Sequence, residues 1–397
     1  MGGNAMGRND MNGTDTRKRP RGIVLLVAAS LLGLLLATGC LRTGEDESVR
    51  PRERLVLLAA GDLLAEVDVK YAARAFALRG VAHDGYAGLF APLTRALRTA
   101  DVGICNLESP VLDWQRPLPD VKPKGPHYPS FFAPPILVTA LRDVGFDALN
   151  VANNHAHDMG PEGVEQTQVA LSRAGLAASG FTRDGQVQPA YLKAAGYRVG
   201  FLGATLKMNK NISAGLSRWD VVRIDPDAYL ELVSHTRRLA QSADLAVVSL
   251  HWGKEYGTAP QAWQVELAHT LCDAGAAVVL GHHSHIAQRV EVYVNRAGRR
   301  CVIAYSLGNL LGPDAAHAAA EIGMLLETDW RSGAGGALDL RGYRILPTWL
   351  QVSGDEMVVL DLADQKSAAT RHALAGRACQ EQLRALGRRV GPLEVRL

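Results

Sequence analysis

From Leu55 onward the chain alternates short apolar runs with longer stretches in which apolar residues recur every three or four positions. The runs at 55–60, 102–105, 148–152, 199–203, 245–250, 276–280 and 302–306 predict buried strands. Between them, 86–99, 136–144, 161–174, 227–241 and 262–274 predict helices. The third of these is well punctuated. Pro161 suits the first turn, where its missing N–H costs no hydrogen bond, and Gly175 stands just past the end. Such alternation builds βαβ units, so the expected class is α/β. After Asn309 the pattern changes to strands near 321–328, 338–346 and 356–361, then an Ala/Arg-rich helix near 366–388. That tail either completes the main unit or forms a small appended one, and no internal repeat is visible.

Two irregular stretches interrupt the pattern. Residues 117–135 hold seven of the eighteen prolines together with Lys122, Lys124, His127 and Tyr128. A loop of that length is usually functional or disordered. Residues 207–223 are polar and carry Lys207, Lys210 and Arg218.

The start of the chain has another character. A basic cluster, Arg17-Lys18-Arg19-Pro20-Arg21, precedes seventeen uncharged residues at 23–39, which end in small side chains before Cys40. This is the order of an export signal's basic, apolar and cleavage regions, and the uncharged run is short for a stable membrane span. Leu36-Ala37-Thr38-Gly39-Cys40 resembles a bacterial lipobox, which implies that Cys40 is lipidated and becomes the mature N-terminus. The expected division is a lipoprotein signal peptide at 1–39, a polar tether at 40–54, a main domain at 55–312 and the C-terminal strands and helix at 313–397. A plain signal peptide or an uncleaved anchor, with Cys40 a chance cysteine, is the alternative.

Composition sharpens this picture. At 47% hydrophobic and 21% charged residues, the 397-residue chain can bury a core, which excludes global disorder. Residues 1–39 carry five basic and two acidic side chains, a surplus equal to the whole chain's +3. The remaining body is charge-balanced, so it offers no bulk electrostatic reason to bind nucleic acid. Beyond Cys40 the cysteines are Cys105, Cys272, Cys301 and Cys379, with no CxxC pair, which disfavours a thiolate metal site. Their apolar neighbours favour buried free thiols over a disulfide framework.

The candidate chemistry falls directly after predicted strands, where α/β folds place ligand loops. The clusters are Gly61-Asp62, Asn106-Leu107-Glu108, Asn153-Asn154-His155 with Asp158, His251-Trp252-Gly253 and Gly281-His282-His283-Ser284-His285. Singly, each has a structural explanation. Gly-Asp is a common turn, the asparagines can bond to their own backbone, and a lone strand-end His is often a structural hydrogen-bonder. Together they supply the oxygen and imidazole donors that a pair of divalent metals needs, with no cysteine required. In an extended segment His283 and His285 would face one side.

The ordered set GD, NLESPV, ANNHAHDMG, HWGKEY, GHHSH and YSLGN, over roughly 55–312, resembles the bacterial capsule synthesis protein CapA (poly-γ-glutamate synthesis) family, which is similar to the calcineurin-like metallophosphoesterases. The resemblance implies a calcineurin-like metallophosphatase fold, a layered α-β-β-α sandwich. It implies one or two divalent metal ions, Mn, Fe or Zn. Asp62 and His285 would serve one, Asn154, His251 and His283 the other, and Glu108 would bridge them. His155 would be the catalytic acid or charge stabiliser, oriented by Asp158. Lys124, His127, Asn106, Asn153 and Trp252 are candidates for holding substrate, with Tyr256 as a further cavity residue, although packing is the default role for either aromatic. Ser306 or Asn309 of YSLGN could reach the site, although a structural role suits that segment equally. His157 and His282 would support ligand residues. One departure bears on the metals: the phosphoesterase pattern begins Asp-x-His, whereas here it is Asp62-Leu63-Leu64, so the first metal lacks an imidazole.

The function implied is that of an exported, lipid-anchored protein of capsule or poly-γ-glutamate-type surface polymer biosynthesis, with a metal-dependent hydrolase or transferase site. Its partners would be an anionic polymer or phosphoester, the membrane through the lipid, and a capsule synthesis or export complex. Two alternatives stand beside it. One is a non-catalytic polymer-binding assembly factor; the other is an exported nucleotidase-like phosphoesterase.

Overall fold

The computed structural model describes residues 53–80, 85–113, 131–209, 219–223, 229–314, 316–333, 337–353 and 356–393. The leader with Cys40, most of the tether, and Lys124 and His127 lie outside the described residues.

Two large sheets form the centre of the body. In the first, the order is Glu356–Asp361, Leu338–Ser353, Ile322–Ser332, Arg54–Leu63, Val102–Leu107, Ala148–Asn150 and Ala177–Ser179, with the short strand Asn309–Leu311 also pairing Arg54–Leu63. In the second it is Val290–Val294, Arg300–Ala304, Val278–His282, Leu245–His251, Tyr197–Thr205 and Ala190–Ala194. The strands from Arg54–Leu63 to Ala177–Ser179 in the first sheet and from Tyr197–Thr205 to Arg300–Ala304 in the second run parallel, most of them joined by helical crossovers. By contrast, Ile322–Ser332, Leu338–Ser353 and Glu356–Asp361 join the first sheet antiparallel. The second sheet has antiparallel edges.

Side-chain alternation along the strands builds three layers of core. Leu55, Leu57 and Ala59 point into the space between the sheets, where they meet Val199, Phe201, Val247, Val278 and Val302. Leu58 and Ala60 point the other way, onto the helices Val67–Leu78, Tyr86–Phe90, Pro135–Val144 and Gly160–Ala174. The far face of the second sheet is covered by Tyr229–Gln241 and Ala262–Asp273. Because these strands are buried on both faces, they appear in sequence as continuous apolar runs. The layered α-β-β-α sandwich is therefore what the chain adopts.

The C-terminal strands 322–332, 338–353 and 356–361 extend the first sheet, and Cys379, Leu383, Leu386 and Val390 of the last helix join the core between the sheets. The single helix expected near 366–388 is two, Ala368–Ala375 and Arg377–Val390, broken at Gly376, whose extended ψ of 134° interrupts the turn. The helix Val67–Leu78 has no counterpart in the sequence expectation, because its alanines blur the apolar stripe. The cysteines 105, 272, 301 and 379 are buried and unbridged. No helix among the described residues is long and apolar enough to cross a membrane.

Candidate metal centre at the strand ends

The polar clusters converge because the strands that carry them are parallel. Asp62 lies near the end of Arg54–Leu63, Glu108 follows Val102–Leu107, and Asn153-Asn154-His155 follow Ala148–Asn150. His251 and His282 end two neighbouring strands of the second sheet, in register with each other. The carboxyl ends of both sheets thus face one place. The segment Tyr305–Asn309 threads between them, donating Leu307 N–H to Gly281 O at 3.1 Å and accepting from Asp62 N–H at Gly308 O at 2.9 Å. Its passage explains two motif glycines: a Cβ on Gly61 would strike the Gly308 carbonyl, and one on Gly281 the Tyr305 carbonyl.

Glu108 is the junction. Glu108, His251 and His283 form one group whose ligand atoms lie within 4.8 Å of one another, and Asp62, Glu108 and His285 form a second. Asp62 Oδ1 accepts from Asn106 Nδ2 at 2.9 Å and lies 2.9 Å from His282 Nδ1, while Oδ2 accepts from His283 N–H at 2.9 Å. Asn154 Oδ1 lies 2.7 Å from His251 Nε2, and Asn309 Oδ1 lies 2.9 Å from His285 Nδ1. His283 and His285 have φ of 86° and 58°, a left-handed backbone that side chains seldom adopt outside constrained sites.

The polar accounting fits a cation. Both oxygens of Glu108 and Nδ1 of His283 are buried without a hydrogen-bond partner. Buried polar groups are rarely left in that state unless an ion or water completes them. Burial, then the negative charges of Asp62 and Glu255, push the Glu108 carboxyl well above its ordinary range. Asp62 goes the other way: burial raises it, but the His282 hydrogen bond and the charges of His282 and His285 bring it below the usual value. Burial and neighbouring imidazoles hold His251 well below the usual histidine range and His283 at about 4. Both rings are therefore neutral at physiological pH, as ligand imidazoles must be.

Beside this centre, His155 Nδ1 is 2.9 Å from Asp158 Oδ2. That carboxylate also accepts Phe131 N–H at 3.2 Å, and the Phe131 ring meets the His155 ring edge-on at 4.3 Å. The imidazole is thereby fixed on two sides. Asn209 bridges the cluster: its Nδ2 lies 3.4 Å from His155 Nε2, its Oδ1 accepts from Asn154 Nδ2 at 3.2 Å, and its N–H donates to Asn154 O at 3.0 Å.

Three residues expected to hold substrate have other duties. Trp252 is 1% exposed; its indole N–H donates to Tyr305 O at 3.1 Å and its ring packs on Trp263 and Tyr305, behind the second sheet. The alternation of strand residues decides this, because the position after His251 faces the opposite side. Asn153 is fully buried, donating to Leu107 O and Val151 O and accepting His155 N–H. Asn106 lies beneath the centre, with Nδ2 between Asp62 Oδ1 and His251 Nδ1. Tyr256 does border the site, its ring 5.6 Å from that of His285. His282 braces Asp62, whereas His157 bonds Asp220 at 2.7 Å. YSLGN reaches the centre through Asn309; Ser306 Oγ accepts Gly308 N–H instead. Asn209 was not singled out, although it lies in the polar stretch after the strand Tyr197–Thr205, where a ligand loop is expected.

The family model and the sequence relatives agree on one group. The family model for bacterial capsule synthesis protein PGA_cap matches residues 56–314. The PGA biosynthesis protein CapA of Bacillus subtilis is 34% identical over 177 residues, 44% of this chain and 44% of that protein. The capsule biosynthesis protein CapA of Bacillus anthracis is 30% identical over 300 residues, 74% of this chain and 69% of that protein. Among solved structures, NAD nucleotidase NadN of Haemophilus influenzae superposes with a TM-score of 0.42 at 10% identity, covering 87% of this chain and 65% of that chain.

Proposed function

The chain belongs to the bacterial capsule synthesis protein PGA_cap family, and from that premise we propose that it is an exported hydrolase or transferase of surface-polymer assembly with a divalent-metal centre. The observation that carries this reading is Glu108, a fully buried carboxylate neither of whose oxygens has a hydrogen bond, shared by two groups of ligand residues. One group is completed by His251, His283 and Asn154, the other by Asp62 and His285. One or two ions held there, of Mn, Fe or Zn, would supply Lewis acidity and an activated water.

The remaining steps belong to the chain's own side chains. With its Nδ1–H given to Asp158, His155 exchanges protons at Nε2, the atom placed to serve a leaving oxygen or nitrogen. Asn209 and Asn154 limit the imidazole's freedom to turn. The positive charge of Lys207 bears on His283, which favours an anionic substrate on that flank. A poly-γ-glutamate-type polymer or a phosphoester presents such charge. The leader supports export, with Cys40 as the lipid-attachment point tethering the body to the envelope beside a capsule synthesis or export complex.

The test is to purify the processed chain, measure bound metal, and assay phosphoesters and γ-glutamyl polymers. A wild-type protein that takes up no divalent metal defeats this reading. Mass spectrometry of the N-terminal peptide tests diacylation at Cys40. The second reading, a polymer-binding assembly factor without turnover, draws support from Leu64, a buried apolar residue where the phosphoesterase pattern has an imidazole. Polymer binding with no turnover by wild type would favour it.

A further inference from the structure

The Asp62 half of the centre is short of one ligand. Leu64 is 5% exposed and lies beside Gly312, so it contributes nothing to a cation. Glu255 stands at the open side of this half. Its Oε1 is 3.9 Å from Nε2 of His285, and its negative charge bears on the carboxyl of Glu108. The turn that carries it is fastened to the ligand segment itself. Tyr256 N–H donates to Ser284 O at 2.9 Å, between His283 and His285, and Gln288 Nε2 donates to Gly257 O at 2.8 Å. Tyr256 has φ 57°, so the turn keeps a backbone conformation that side chains rarely adopt.

Asp314, whose charge bears on the same Tyr256, is already committed: Oδ2 lies 3.0 Å from His317 Nδ1 and Oδ1 accepts Ala316 N–H. The side chain of Glu255 is 53% exposed and holds His285 only at long range, so it can turn toward an ion without breaking a buried contact.

Resting on the metal reading above, we propose that Glu255 is a protein ligand of the Asp62 half, standing in for the imidazole absent at position 64. With Asp62, Glu108 and Glu255 around His285, that half is rich in carboxylate oxygen. It therefore suits a hard cation such as Mn²⁺ and narrows the advantage in affinity that Zn²⁺ holds where imidazole replaces carboxylate.

The experiment is Mn²⁺ titration of the full chain, followed by calorimetry and by loss of the free Mn²⁺ paramagnetic resonance signal. Wild type, Asp62→Asn, Glu255→Gln and Glu255→Asp are compared, with folding checked by circular dichroism. Asp62→Asn marks the binding event that belongs to this half. Glu255→Gln should weaken that same event by about tenfold or more, leave any other event unchanged, and be partly rescued in Glu255→Asp. Leu64→His placed in the Glu255→Gln background should restore affinity and shift preference toward Zn²⁺. If Glu255→Gln binds Mn²⁺ as wild type does, or if the only wild-type ion survives Asp62→Asn, the proposal is overturned while the metal reading stands. If wild type binds neither Mn²⁺ nor Zn²⁺, both fall together.

Discussion

Oε1 of Glu108 stands 3.4 Å from Nε2 of His251, and both side chains are fully withdrawn from solvent. An acid and a base so placed would ordinarily form an ion pair. Here the same burial drives each toward its neutral form: the carboxyl holds its proton to higher pH and the imidazole releases its proton at lower pH. Without a cation the centre is thus a set of desolvated groups that lack compensation. A divalent ion reverses this by giving the carboxylate a partner and using the imidazole lone pair.

The first prediction follows from the sign of that shift. The folded carboxyl of Glu108 titrates above the unfolded value of 4.5, so the folded chain keeps a proton that the unfolded chain has lost. Stability of the metal-free protein therefore falls as pH rises above about 4.5, by up to about 1.4 kcal/mol per unit, until the folded carboxyl also ionises. Glu108→Gln removes this slope. In chelator the variant should melt above wild type at neutral pH; in saturating Mn²⁺ the order should invert, since only wild type gains binding energy. Thermal melts across pH 5–8 with and without metal measure both signs.

His155 should separate chemistry from metal holding. Among the described residues its side chain meets Asp158, Phe131 and Asn209, none of which is assigned to a metal. His155→Ala is expected to lower kcat by about 10²–10⁴-fold while metal content stays at the wild-type level. Asp158→Asn, which weakens the support of both the imidazole and Phe131 N–H, should cost less and move the basic or acidic limb of the pH–rate profile. A His155→Ala variant that turns over at the wild-type rate would remove the residue from the mechanism.

Gly281 tests the threading of Tyr305–Asn309 between the sheets. Because a Cβ there would meet a backbone carbonyl, Gly281→Ala cannot be absorbed by a side-chain rotation. We expect a loss of about 1–3 kcal/mol in stability, as for other overpacked core positions. Metal affinity should drop with it, since Leu307 N–H to Gly281 O and Asn309 to His285 hang on the same segment. By contrast Gly298→Ala, where φ is 75° but the space is open, should carry only a backbone cost and leave metal binding intact.

Much of this was legible in the sequence, and the failures have a common cause. Apolar runs located the parallel strands because burial on both faces suppresses polar residues, and the polar clusters after them marked the ligand loops. Short strands such as Gln186–Gln188 and the alanine-rich helix Val67–Leu78 lacked periodic contrast and were missed. At the site, residue type announced the ligand groups, but direction was invisible. Asn153 faces the backbone of Leu107 and Asn106 lies beneath Asp62, although both belong to motifs whose neighbours face the centre. Glu255 depends on a turn with a left-handed Tyr256, which no propensity foretells.

Trp252 makes the difference between type and direction measurable. An aromatic next to His251 invites the reading that it lines a substrate cavity, yet its ring is stacked on Tyr305 at 6.5 Å and edge-on to Trp263 at 5.9 Å. Its indole N–H is the hydrogen bond that ties the end of Leu245–His251 to Tyr305 O at 3.1 Å. Trp252→Phe keeps a ring, removes that donor, and leaves the Tyr305 carbonyl in a buried setting with one partner fewer. The expected cost is about 1–3 kcal/mol, read as a lower denaturant midpoint with an unchanged m-value. KM for any substrate turned over by wild type should stay the same, because no part of the ring reaches the centre. A rise in KM without loss of stability would instead put the indole in the cavity, against its 1% exposure.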